Sequence, residues 1–202
     1  QMVSRAARRV AGDEESLRLA EAGQHLPVTV MYLSVNGFSQ LQESLPHHEL
    51  LEKISTQIDV LCGIIINNDG EADKIIGEKI LAYFYSPEGL QASNRMALQT
   101  LRLISEADND GLLPFPVTAG LHAGDVIAGL LGISSKRDFT IIGDTVNTAA
   151  RINARAAELD GNRYLVSEAV VAETGRAVRF EPFGSVQLKG KAESVNLLRV
   201  SF

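Results

Sequence analysis

The chain has 202 residues, 45% of them hydrophobic and 22% charged, which fits one domain with a packed core plus a short extra segment. A net charge of -6 with no long basic stripe argues against a general nucleic-acid binder. No run approaches the ~18 consecutive apolar residues of a membrane span and no signal peptide is visible, while a single cysteine, Cys62, rules out an internal disulfide and points to a reducing, cytoplasmic setting.

Residues 1–26 read as a connecting segment, rich in Ala, Arg and Glu. Within it Val3, Val10 and Leu17 recur every seven residues, which suits a helix able to pair with a copy of itself. Arg5, Arg8 and Arg9 are balanced by Asp13, Glu14 and Glu15, as on a solvated helix face. The chain opens on Gln1 rather than Met, so it is expected to be part of something longer, a membrane-attached protein among the options.

The folded domain is expected over residues 27–202, starting with a β-rich run at 28–35 that ends at Asn36-Gly37. Leu50, Leu51, Ile54, Ile58, Leu61 and Ile65 recur at helical period and predict a long amphipathic helix over 47–67. Cys62 lies in its apolar stretch and reads as a small buried hydrophobe. Two strands near 72–76 and 79–85 join through Gly77-Glu78, and a second long helix follows at 88–107. Residues 117–131 read as a pair of strands broken by Gly124, and 137–142 as a further strand. Residues 145–159 form a helix with a small-residue face of Ala149, Ala150, Ala154 and Ala157. From 163 onward short strands alternate with one short helix near 167–173. The order strand, helix, strand, strand, helix, strand is that of a ferredoxin-like α+β core with additional C-terminal strands. That core hosts many activities, so it names none.

Three stretches ask for more than packing. They are the run from Val30 to Ser39 (VMYLSVNGFS), the run from Asp73 to Phe84 (DKIIGEKILAYF), and Gly120-Leu121-His122-Ala123-Gly124 followed by the run from Asp138 to Arg151 (DFTIIGDTVNTAAR). Together they resemble the class III adenylyl and guanylyl cyclase catalytic domain, over about residues 27–200, and the segment from Val186 to Lys191 resembles that family's ending.

The resemblance implies a head-to-tail dimer with active sites at the interface. One partner supplies two aspartates that hold two Mg2+ or Mn2+ ions. The other supplies a base-reading pair, an Asn and an Arg for the transition state, and a phosphate-binding Lys. Asn147 and Arg151 match the transition-state pair, and their four-residue spacing puts them on one helix face. The Arg fork suits a reacting phosphate better than a point charge does. Lys74 and Thr140 match the base readers, in the combination typical of adenylyl rather than guanylyl cyclases, which favours ATP. Lys189 matches the lysine that grips the terminal phosphates.

The departures concern the metals. Ser34 stands where the first aspartate is expected, and Glu78 where the second is. Magnesium asks for hard oxygen ligands in near-octahedral geometry. A serine hydroxyl is neutral, and a glutamate carboxylate reaches about 1 Å farther, a displacement that can cost roughly a hundredfold in rate. His25, His47, His48 and His122 show no zinc-ligand spacing, and His122 reads as structural.

Three functions remain open on this reading. The chain is a catalytically impaired nucleotide-binding or regulatory dimer module, or one half of an active heterodimer with an aspartate-bearing partner, or a working homodimer converting ATP to cyclic AMP and pyrophosphate. The second resembles the second catalytic half of mammalian membrane adenylyl cyclases, which likewise lacks the metal aspartates.

Overall fold

A computed structural model describes residues 20–133, 136–172, 177–187 and 194–202. The expected leading helix lies almost wholly outside the described residues, and so does Lys189. In chain order the elements are β1 (Gln24–Val35), α1 (Phe38–Ser44), α2 (His47–Asn67), β2 (Glu71–Ile76), β3 (Lys79–Phe84), α3 (Leu90–Asn109), β4 (Val117–Ile133), β5 (Lys136–Ile142), α4 (Asp144–Ala156), β6 (Tyr164–Ser167), a single 3-10 turn (Glu168–Val170), β7 (Arg179–Gln187) and β8 (Ser194–Ser201).

The eight strands form one sheet in the order β2-β3-β1-β4-β6-β8-β7, with β5 paired to the far half of β4. In the run β2, β3, β1, β4 each strand is antiparallel to its neighbour, which is the ferredoxin-like arrangement expected from the sequence. The parallel pairing of β4 with β6 attaches the C-terminal strands.

Strand periodicity of two divides this sheet into two unlike faces. Met31 and Leu33 of β1, Ile80, Ala82 and Phe84 of β3, and Ala119 and Leu121 of β4 pack on Leu61, Ile65, Leu98, Leu101 and Ile104 of α2 and α3. Cys62 is buried in that layer, where burial pushes its thiol up to about 11. On the opposite face Val28 and Val30, Leu81 and Tyr83, and Val126 and Ala128 pack on Ile141 of β5 and Ala149 of α4. The first face is closed by two long helices. The second is covered by α4 and β5, and all the candidate site residues of the described chain sit on it or at its edges.

Helix α4 approaches the sheet closely. A Cβ on Gly120 would lie 2.6 Å from the Asn153 Cα and 2.7 Å from the Ala149 carbonyl oxygen, so glycine alone fits there. Gly124 likewise leaves room for Thr145, whose hydroxyl donates to the Asp125 carbonyl at 2.6 Å. This corrects one expectation: β4 is a single 17-residue strand, not two broken at Gly124. The glycine admits a helix rather than turning the chain, and it stays in the ladder opposite Val28.

Other differences are smaller. Strand β1 begins at Gln24, upstream of the expected start at 28, with Pro27 in register opposite Asp125. The seven-residue α1 was not anticipated; it is too short to display a period, and it forms because Phe38 and Leu41 cover Val35, Leu50, Ile54 and Phe115. The expected short helix near 167–173 is one 3-10 turn at Glu168–Val170, with residue 173 outside the described residues. The small-residue face of α4 also resolves differently. Ala149 is buried together with Ile152, Asn153 and Ala156, whereas Ala150, Ala154 and Ala157 border an open cleft. Among the described residues no helix is long and apolar enough to cross a membrane.

Candidate functional site

The candidate residues gather in three places. The first is a corner between β2 and β5, two strands that are not ladder neighbours. In β2 the register slips between Ala72 and Lys74, which leaves Asp73 as an extra residue without a partner on β3. Such a bulge re-aims side chains. Here it brings both Asp73 and Lys74 against Thr140 of β5. Lys74 Nζ donates to Asp73 Oδ2 at 3.0 Å and also to Thr140 Oγ1. Thr140 Oγ1 donates to the same Asp73 oxygen at 2.8 Å. The Asp73 side chain is 2% exposed against 40% for Lys74. Burial raises the Asp73 carboxyl above the ordinary carboxylate range, while hydrogen bonds from Thr140 and Lys74 pull it back down. The two residues matched to base reading are therefore in contact, joined by a carboxylate to which the sequence assigned no role.

The second place is the outer side of α4. Asn147 is exposed and Arg151 half-buried, one turn apart on the helix. Among the described residues neither side chain makes a hydrogen bond or an ion pair. The helix start is anchored by the Thr145 hydrogen bond, and Asp144 in its first turn complements the helix dipole.

The third place is an open cleft of about 830 Å³ lined by Ser34, by the turn from Asn36 to Ser39, by Glu78 and Lys79, and by Ala150, Asn153 and Ala154 of α4. Ser34 and Glu78 thus share one cavity. Ser34 is 8% exposed, and its hydroxyl donates to Asn153 Oδ1 at 2.9 Å. The Asn153 amide nitrogen in turn donates to the carbonyls of Tyr32 and Thr118 at 3.1 and 3.0 Å. Lys79 stands directly opposite Ser34 across the β1–β3 ladder, and its Nζ lies 3.7 Å from Glu78 Oε1. The Glu78 side chain is 16% exposed. Among the described residues no cluster of three His, Cys, Asp or Glu side chains is placed to hold a metal ion.

Neither Asn147 nor Arg151 lines this cleft. His122 lies elsewhere, its Nδ1 2.7 Å from the Ser167 hydroxyl in a contact that ties β4 to the end of β6. Sequence reasoning missed Asp73 and Asn153. Asp73 lies just before Lys74 in β2 and Asn153 one turn after Ala149 on the buried side of α4, and no sequence pattern marks either.

Known proteins share this fold. Residues 20–198 match the family described as the adenylate and guanylate cyclase catalytic domain. Adenylate cyclase 1 of Rhizobium meliloti (strain 1021) is 26% identical over 181 residues, spanning 86% of this chain and 27% of that protein. An adenylate cyclase of Anabaena cylindrica is 28% identical over 188 residues, spanning 86% of this chain and 36% of that protein. The chain therefore covers roughly a third of the length of these relatives. Among solved structures, a bacterial light-regulated adenylyl cyclase superposes with a TM-score of 0.74 at 26% identity, covering 88% of this chain and 52% of that one. The adenylyl cyclase CyaB from P. aeruginosa superposes with a TM-score of 0.73 at 20% identity, covering 89% of this chain and 96% of that one, which speaks to the fold. With the family matched across the sheet, both long helices and all three groups of candidate residues, the chain belongs to the class III adenylyl and guanylyl cyclase catalytic domain family.

Proposed function

We propose that this domain is an adenylyl-cyclase-type module that binds ATP through Lys74, Thr140, Asn147, Arg151 and Lys189 and is impaired as a catalyst when paired with itself. One observation carries the reading. The cleft at the metal positions offers a single carboxylate, Glu78, with an ammonium 3.7 Å away, and a hydroxyl already engaged by Asn153. Mg2+ or Mn2+ in this family calls for carboxylate ligands, and an ammonium beside the one that remains works against a metal cation there. The residues present do not fit a two-ion centre. Two-metal chemistry neutralises both attacking and leaving oxygens. Losing such stabilisation removes about several kcal/mol, and each ~1.4 kcal/mol is tenfold in rate.

The face of Asn147 and Arg151 favours a second reading. Two polar side chains on α4, unengaged among the described residues, do not line the cleft. They suit a site completed by another chain, in a head-to-tail homodimer or with a cyclase domain that brings its own aspartates. A buried free Cys62 is at home in a reducing, cytoplasmic compartment.

A mixing experiment tests both readings. Cyclic AMP formation from ATP is assayed with Mg2+ and with Mn2+, for the chain alone and with an aspartate-bearing cyclase domain whose base-reading Lys and transition-state Asn are disabled. Silence in both with measurable ATP binding is the expected result for a binding module, and activity only in the mixture identifies a half-enzyme. Substantial turnover by the chain alone defeats the proposal.

A further inference from the structure

The three polar groups of the β2–β5 corner form a closed donor and acceptor system with a consequence for base choice. A threonine hydroxyl has one proton and two lone pairs, and an ammonium has protons only. The Thr140 proton goes to Asp73 Oδ2 at 2.8 Å, and the next acceptor, the Ile141 carbonyl at 3.4 Å, also lies within the protein. Lys74 donates into both Asp73 and Thr140. Toward a ligand, Thr140 therefore offers only a lone pair and Lys74 only a proton.

We propose that Asp73 is the specificity-determining positioning residue of the base site: by taking the Thr140 proton it fixes that hydroxyl as an acceptor and so selects a 6-aminopurine over a 6-oxopurine. The inference rests on the base-reading role proposed above for Lys74 and Thr140. A 6-aminopurine presents an amino donor beside a ring-nitrogen acceptor, which complements this pair. A 6-oxopurine presents a carbonyl acceptor beside an N–H donor and meets like with like at both positions. Thr140 is 2% exposed, so an entering base exchanges the Lys74–Thr140 contact for its own, while the 3.0 Å contact to Asp73 keeps the ammonium at hand. The bulge in β2 is what makes this possible, because a regular strand would send the side chains at 73 and 74 to opposite faces.

The substitution Asp73→Asn nearly preserves shape but leaves one acceptor oxygen for the Lys74, Thr140 and Ile141 N–H donors, so with the amide NH2 turned to Thr140 that hydroxyl's proton is released toward the ligand. Dissociation constants for ATP and GTP are measured by equilibrium dialysis on the purified chain and on Asp73→Asn, with thermal melting to establish that each is folded. The wild-type chain is expected to prefer ATP, and Asp73→Asn to lose about tenfold of that preference, equivalent to about 1.4 kcal/mol. Asp73→Ala, which removes the acceptor without adding a donor, is expected to lose about threefold and serves if the Asn variant does not fold. A purely structural role for Asp73 would weaken both nucleotides alike and leave the ratio unchanged, and that result overturns the inference while the base site stands. Failure of the wild-type chain to bind either nucleotide overturns the base site and this inference together.

Discussion

The corner of Asp73, Lys74 and Thr140 and the cleft of Ser34, Glu78 and Lys79 belong to one sheet and use their polar groups differently. In the corner a buried carboxylate holds a cation and a hydroxyl so that both still have something to offer a ligand. In the cleft the hydroxyl of Ser34 is turned to Asn153, which also ties the carbonyls of Tyr32 and Thr118, and the remaining carboxylate stands beside Lys79. The first arrangement leaves a lone pair and a proton for a ligand, as the proposed base site needs. The second holds α4 against the sheet. On the proposed reading, a position that the family uses for a cation serves here in the scaffold, which is how a domain would keep its shape and a base site while giving up chemistry.

The comparison breaks most completely at Gly120, which supports both regions through α4. Gly120→Val would drive a side chain into the helix backbone at Asn153 and Ala149, where nothing flexible can yield. A loss of about 3 kcal/mol or more is expected, seen as a collapse of the melting transition and of all ligand binding. An unchanged melting temperature would show that α4 does not lie where described.

Asn153→Leu separates the regions. It strands the Ser34 hydroxyl and two buried carbonyls, and a loss of about 2 to 3 kcal/mol in chemical denaturation is expected. The ATP-over-GTP preference should be retained, since no bond of the corner is touched. A shift in that preference would mean that the two regions are not independent.

Much of this architecture was legible in the sequence. The helix at 47–67 announced itself through the spacing of Leu50, Ile54, Leu61 and Ile65, and the structure places it at those residues. Lys74 and Thr140 were named as a pair from their motifs, and they meet. What stayed hidden depends on long-range geometry. Whether Asp73 points with Lys74 or against it is decided by a one-residue slip against β3, which strand alternation cannot reveal. The role of Asn153 depends on how closely α4 rides on Gly120, a helix-to-sheet distance that local periodicity does not encode. The same closeness explains why Gly124 looked like a strand break and is not one.

The smallest expected effect is a pH dependence that belongs to the corner alone. Burial raises the Asp73 carboxyl in the folded chain, so the native state holds that proton more tightly than the unfolded state does. Its contribution to stability is therefore fully present below the unfolded value of about 3.9 and declines as pH rises through the raised folded value. Asp73→Asn should remove that part of the slope in denaturation measured across the acidic range. A wild-type slope identical to that of the variant would place the carboxyl in a different environment.

The central claim, that the metal half of the site has been given up while the nucleotide half is kept, is tested most directly by the Ser34→Asp/Glu78→Asp double variant. Cyclic AMP formation by the purified variant is compared with that of the unaltered chain under Mg2+ and Mn2+, with ATP binding and dimerisation measured on both. The account predicts little or no product from the unaltered chain and clear product from the variant. A variant that folds, dimerises and binds ATP yet stays silent, or an unaltered chain that turns ATP over briskly, would contradict it.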